Sequence, residues 1–183
     1  MQEIINKDGT INDEKLIDFI IRKELKLLIC SAGGGGKDFL RDRLKSKGLK
    51  PEVSYTSRLP REGEKDGYTY WFVTHDQFKE MISNGEFLQY EYFKPVQSYY
   101  GTHLTCVENY DIFIMTPPAI KKLVANDYRK RFLVLYLDIP EEVRRERLSK
   151  RKNFDVNARI ENDKEEIFKD FIDYDIRVTN PFF

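Results

Sequence analysis

The run Lys26-Leu27-Leu28-Ile29-Cys30-Ser31 leads through Ala32 into Gly33-Gly34-Gly35-Gly36-Lys37. A short continuous apolar stretch closed by glycines reads as a buried strand. Residues 38–47 read as a helix, with Phe39, Leu40 and Leu44 inward and Gly48 as the stop. The general phosphate-loop pattern is G-x-x-x-x-G-K-[ST], between a strand and a helix. Gly36 and Lys37 fit it, while Ser31 stands at its first glycine and Asp38 at its hydroxyl position. Glycines let backbone N–H groups turn inward around phosphate oxygens. The helix adds the positive end of its dipole, and Lys37 adds a mobile charge. Gly33, Gly34, Gly35, Gly36, Lys37, Asp38 and Phe39 are therefore the candidate phosphate-loop residues. Asp38 has two readings: a hard oxygen ligand for Mg²⁺, or a carboxylate that only complements the helix dipole.

The rest of the chain supports an α/β architecture. Asn12 caps a helix over 12–24, with Leu16, Phe19 and Ile20 on its apolar face. Between 51 and 105 the chain turns rich in Tyr, Phe, Gly and Pro. Strand-like pieces at 68–73 and 86–93 flank a short helix at 76–83, which predicts a small inserted mixed lobe. Strands then recur at 111–115, 131–137 and 176–179. Pro117-Pro118 is read as a break before a helix over 119–126. A strongly basic helix covers 141–152 and a long one 158–174, with Ile160, Ile167, Phe168, Phe171 and Ile172 as its apolar face. Strands alternating with helices imply a parallel sheet flanked by helices.

Composition narrows the function classes. The 183 residues are 40 % hydrophobic, enough to build a core. The 31 basic residues cancel the 31 acidic ones, which argues against a general nucleic-acid or membrane binder. There is no apolar run of transmembrane length, and the first residues, MQEIINKDGTINDEK, have no apolar signal segment. A cytoplasmic protein is expected. Cys30, Cys106, His75 and His103 are too scattered for a zinc site.

The segment Ser54-Tyr55-Thr56-Ser57-Arg58-Leu59-Pro60-Arg61-Glu62-Gly63-Glu64-Lys65-Asp66-Gly67-Tyr68-Thr69-Tyr70 resembles the guanylate kinase family. That family carries S-x-T-x-R-x-P-R-x-G-E-x-x-G-x-x-Y in its nucleoside-monophosphate lobe. The likeness continues through Phe72-Val73, Phe78, Met81-Ile82, Asn84-Gly85-Glu86-Phe87-Leu88 and Tyr99-Tyr100-Gly101-Thr102. The resemblance implies a P-loop core over 26–50 and 106–183, with a lid at about 147–159. It implies a lobe over 51–105 that binds the nucleoside monophosphate, and leaves 1–25 as an N-terminal extension. Ser54, Arg58, Arg61, Tyr70 and Tyr100 would hold the acceptor phosphate. Arg147, Arg151 and Arg159 would clamp ATP and the transferring group, with Lys37 and Arg58 beside them. The implied substrates are ATP with Mg²⁺ and GMP or dGMP.

Three departures accompany the likeness. Gln89 stands where the family has a glutamate that accepts guanine N1–H and N2–H₂; an amide brings one acceptor and one donor. Glu91, two residues on, is the alternative acceptor, and Thr102 matches a hydroxyl position near O6. The family's carboxylates after the strand at 111–115 are replaced by Thr116-Pro117-Pro118. A C-terminal helix usual in the family is not found before Phe183, and helix 12–24 is expected to cover the sheet beside 176–179 instead. A kinase for another monophosphate and an inactive binding module remain the alternative readings.

Overall fold

A computed structural model describes residues 4–150 and 155–183, and the side chains of all of these except Pro95, Glu165 and Glu166. Asn12 caps α1 (Asp13–Arg22), its side-chain oxygen accepting from Lys15 N at 3.1 Å. β1 (Lys26–Ser31) follows, buried at all but its first residue, and leads to α2 (Lys37–Ser46). Next come β2 (Tyr55–Thr56), β3 (Trp71–Phe72), α3 (His75–Ser83), β4 (Phe87–Phe93), β5 (Ser98–His103) and the single turn α4 (Cys106–Asn109). Alternation resumes with β6 (Ile112–Ile114), α5 (Pro117–Ala125), β7 (Phe132–Leu137), α6 (Glu141–Ser149), α7 (Val156–Asn162) and β8 (Ile176–Val178).

The chain divides into two compact units, Met1–Leu49 with Ile112–Phe183, and Lys50–Asp111. The first unit is a parallel sheet in the order β6-β1-β7-β8. Helices make the crossovers, so β1 and β7 are covered and nearly all apolar. Leu27, Ile29, Leu133, Leu135 and Leu137 share a core with Leu40 and Leu44 of α2. Leu16 and Ile20 of α1 join the same cluster as Ile176 and Val178 of β8. Asn180 Nδ2 also donates to the Asp8 carbonyl at 2.8 Å. The N-terminal helix thus shares a core with β8, and the segments beside the two elements meet at Asp8 and Asn180. Buried Asp13 at its start accepts from Arg43 Nη2 at 2.9 Å and ties it to α2.

The second unit is a mixed sheet in the order β3-β2-β5-β4, parallel only between β2 and β3. Its core is aromatic: Phe78 of α3 stacks on Phe87 at 4.4 Å and on Tyr99 at 5.2 Å. Gly101 permits that layer, since a Cβ there would lie 2.8 Å from the Phe87 ring. The α/β class, the P-loop-type parallel sheet and the mixed inserted sheet are as the sequence implies.

Three elements differ. Pro117 and Pro118 do not break the chain before α5; they open it. Thr116 caps the helix, and proline suits a first turn whose N–H groups have no helical partner. The apolar spacing over 158–174 does not make one long helix. After Asn162 the backbone widens into one π turn, with Phe168 N donating to Asp163 O at 2.8 Å. Asp170 then takes φ 55°, and Ile172 is 78 % exposed. Phe168, Phe171 and Tyr174 gather instead around Tyr136 of β7, with ring centroids 5.8, 5.2 and 5.4 Å away. Packing on one aromatic imitated helical spacing. The strand expected over 68–73 also shrinks to Trp71–Phe72.

Leu16 is fully buried, so Leu16→Ala should destabilise the protein by about 2–5 kcal/mol in urea unfolding. A loss below about 1 kcal/mol would mean that α1 is not part of the core.

Candidate active site

The loop between β1 and α2 is shaped by close approaches. Gly34 and Gly36 have φ of +80° and +95°, a region that L side chains rarely adopt. A Cβ on Gly35 would lie 1.7 Å from Ser31 Oγ. That hydroxyl is engaged, donating to the Leu137 carbonyl at 3.1 Å. A Cβ on Gly33 would lie 2.9 Å from Arg159 Nε and 3.0 Å from Asp163 Oδ2. The four glycines therefore answer two different demands, backbone conformation and space.

Cations gather on this loop, and Lys37, Arg41 and Arg159 are matched by acids. Lys37 Nζ lies 3.0 Å from Asp38 Oδ2, and Arg41 Nη1 lies 3.1 Å from Asp38 Oδ1. Arg147 reaches the Gly34 carbonyl at 3.3 Å and the Pro181 carbonyl at 2.7 Å. Arg159 Nε lies 3.1 Å from Asp163 Oδ1. Asp163, 1 % exposed, accepts from the Gly33 N–H at 2.7 Å. The π turn that begins at Asp163 brings this carboxylate under the loop. Phe39 is exposed and meets Phe183 edge-on at 6.4 Å. Arg151 lies outside the described residues.

The fit of Asp38 to magnesium can be judged from its contacts. It is about half exposed and offers hard oxygens at the head of α2, but two cations already share it. Among the described residues no three His, Cys, Asp or Glu side chains come together as a metal cage. Asp38 therefore fits magnesium as a single ligand whose remaining partners are phosphate and water, the usual pattern for this ion.

The inserted unit carries a second group. Arg58 forms a fork with Glu64, Nη1 and Nη2 each 2.8 Å from one carboxylate oxygen. The hydrogen bonds from Arg58 hold the Glu64 carboxyl below its ordinary range, and Glu64 raises Arg58. Arg58 Nε also donates to Tyr100 Oη at 3.2 Å, and its guanidinium lies 5.4 Å from the Tyr70 ring centroid. Tyr100 keeps its own proton to offer to an anion. Arg61 is exposed, and its backbone N–H donates to Glu64 at 2.7 Å. Gln89 pairs across the strands with Thr102, and Glu91 with Tyr100, so these four share one face. Gln89 Nε2 donates to Thr102 Oγ1 at 3.2 Å. Ser54 does not turn to Arg58: its hydroxyl lies 2.9 Å from both Glu52 carboxylate oxygens.

The family model for guanylate kinase matches residues 23–181, nearly the whole chain. The chain belongs to the guanylate kinase family. It is 40 % identical over 84 residues to guanylate kinase of Clostridioides difficile (strain 630), covering 45 % of this chain and 40 % of that protein. It is 41 % identical over 101 residues to guanylate kinase of Lactococcus lactis subsp. lactis (strain IL1403), covering 50 % and 48 %. The chain thus spans less than half the length of these curated relatives. The crystal structure of guanylate kinase from Anaplasma phagocytophilum matches with a TM-score of 0.58 at 19 % identity. That match covers 85 % of this chain and 76 % of that one, and shows the fold.

Glu52, Glu64 and Asp163 escaped the sequence reading as site residues. Glu64 lay inside the guanylate kinase motif and could have been chosen as the partner of Arg58. Glu52 and Asp163 are single acids among many, and only folding brings them to Thr102 and Gly33.

The Arg58–Glu64 fork generates a pH prediction. Glu64 is depressed in the folded state, so its contribution is present above the unfolded value near ~4.3 and lost as pH falls through the folded value. Glu64→Gln should therefore cost stability at pH 7, and the gap to the native protein should close in acid. A gap that stays constant from pH 7 to about 3 would refute the pairing.

Proposed function

We propose that the chain is an ATP-dependent nucleoside monophosphate kinase that phosphorylates GMP or dGMP to the diphosphate. The observation that carries this reading is the presence of two separate anion-ready groups. One is the glycine loop with Lys37, Arg147 and Arg159; the other is Arg58 with Tyr70 and Tyr100. A protein that only holds a nucleotide needs one such group, whereas transfer between two phosphates needs both.

The chemistry asks little of the side chains beyond placement and charge. An oxygen of the acceptor phosphate attacks the γ-phosphorus of ATP, and the bond to the β–γ bridging oxygen breaks to release ADP. No covalent intermediate on the protein is required. Lys37 and the loop N–H groups hold the donor phosphates. Arg58, with the Tyr70 and Tyr100 hydroxyls, orients the acceptor phosphate. Arg147 and Arg159 neutralise charge on the transferring group. Arg61 is a further cation for the acceptor, and Arg151 for the donor. Magnesium, when bound with ATP, supplies charge neutralisation to the phosphate oxygens, and Asp38 is the residue that would hold it.

The test is ADP formation with ATP and Mg²⁺ against GMP, dGMP, AMP, CMP, UMP and dTMP. Turnover confined to GMP and dGMP is expected. Turnover with a different acceptor would move the base choice; none at all would leave a binding module. Lys37→Ala should lower kcat by about 10²-fold or more. Asp38→Ala should raise the Mg²⁺ concentration needed for half-maximal rate. An unchanged requirement would leave Asp38 as a dipole partner only.

A further inference from the structure

The inserted unit contains one acid that the proposed transfer does not use. Glu52 precedes β2, and burial, the largest cause, pushes its carboxyl up to about 7. The Ser54 hydroxyl lies 2.9 Å from both of its oxygens, and Thr102 stands beside it as a second hydroxyl. Thr102 in turn accepts from Gln89 Nε2 at 3.2 Å. The direction of this relay is fixed by valence. An ionised carboxylate only accepts, and Thr102, which accepts from Gln89, has its single proton to offer to Glu52. Thr102 can then only accept from its other neighbour, and Gln89 must turn its nitrogen toward it. Gln89 Oε1 is left buried with no hydrogen-bond partner among the described residues.

A buried acceptor without a donor is costly, as is a desolvated carboxylate, and both are held beside one threonine. Two acceptors placed together call for a ligand with two adjacent donors. Among the common bases, guanine presents N1–H next to its 2-amino group. Hypoxanthine presents N1–H alone, and adenine, cytosine, uracil and thymine each set a donor beside an acceptor. Thr102 has no proton left for O6, so the acceptor pair has to carry the discrimination.

We propose that Glu52 is a specificity-determining residue: its carboxylate and Gln89 Oε1 together accept the 2-amino group and N1–H of a guanine acceptor. The proposal rests on the reading of the chain as a GMP kinase. It places the carboxylate missing from position 89 at position 52, on the segment before β2. Glu91 sits two pairs further along the sheet, opposite Tyr100. The groups facing Glu52 stay neutral near pH 7. They are the hydroxyls of Ser54 and Thr102, the Cys106 thiol and the Tyr110 phenol, the last two pushed up chiefly by burial.

The test compares kcat/KM for GMP and IMP with the full chain and saturating ATP and Mg²⁺ between pH 6 and 8. The two acceptors carry the same phosphate, so its ionisation cancels in the ratio. At pH 8 GMP should be preferred by about tenfold or more, the worth of a hydrogen bond to a charged group. As pH falls through about 7, Glu52 takes a proton and the ratio should fall several-fold. Glu52→Gln should lower GMP by about tenfold, leave IMP within about threefold, and remove the pH dependence of the ratio. A variant that lowers both substrates together would show a structural role and overturn the assignment. If Glu52→Gln does not fold, the native ratio decides alone: flat from pH 6 to 8, it overturns the proposal. Absence of GMP turnover by the native chain would instead sink the GMP reading, and the Glu52 assignment with it.

Discussion

Where β1 ends, the backbone turns beneath α6 and α7 with almost no room for side chains. Ser31 Oγ fills the space beside Gly35, the Arg144 backbone presses on Gly34, and Arg159 and Asp163 close on Gly33. This crowding holds the loop in one shape. It also ties that shape to residues more than a hundred positions away, because Asp163 accepts directly from the Gly33 N–H. The loop is therefore continuous with the α7 segment that carries Arg159. The parallel sheet exists to bring these ends together: β1 lies between β6 and β7, so the turn that leaves it is supported from both sides.

The same electrostatic device recurs at three of the candidate cations, while Arg147 rests on backbone carbonyls. Lys37 rests on Asp38, Arg159 on Asp163 and Arg58 on Glu64. The chain has as many acids as bases, and here the balance is local as well as global. A guanidinium that is 11 % exposed, like Arg58, would be expensive to leave without a counter-charge. Carboxylates keep such cations in place, and in the proposed reaction an arriving phosphate would exchange with or share that partner instead of meeting a bare charge.

Much of this was legible from residue order. β1, β7 and α1 were visible because burial of a parallel strand and of a helix face imposes simple patterns over six to ten residues. The motif from Ser54 to Tyr70 located Arg58 and Tyr70, and the fold brings Tyr100 to them. Ser54 was grouped with the phosphate residues but donates to Glu52, since two residues of extended chain put its hydroxyl beside that carboxylate. The long helix over 158–174 failed because aromatic packing around Tyr136 has spacings that a helix would share.

Short-range patterns by themselves determined the α/β class, the strand–glycine–helix turn and Lys37, while the candidate arginines came from the resemblance of the Ser54–Tyr70 segment and the basic helix to a known family. The short-range patterns depend on backbone propensity and on periodicity within one element. The tertiary structure decided which acid meets which base, which way the Gln89 amide faces and where α1 docks. Those outcomes depend on pairs such as Gly33 with Asp163, 130 residues apart. Ion pairs and hydrogen bonds form only at contact distance, and nothing in the order of residues states which distant groups the sheet will bring into contact.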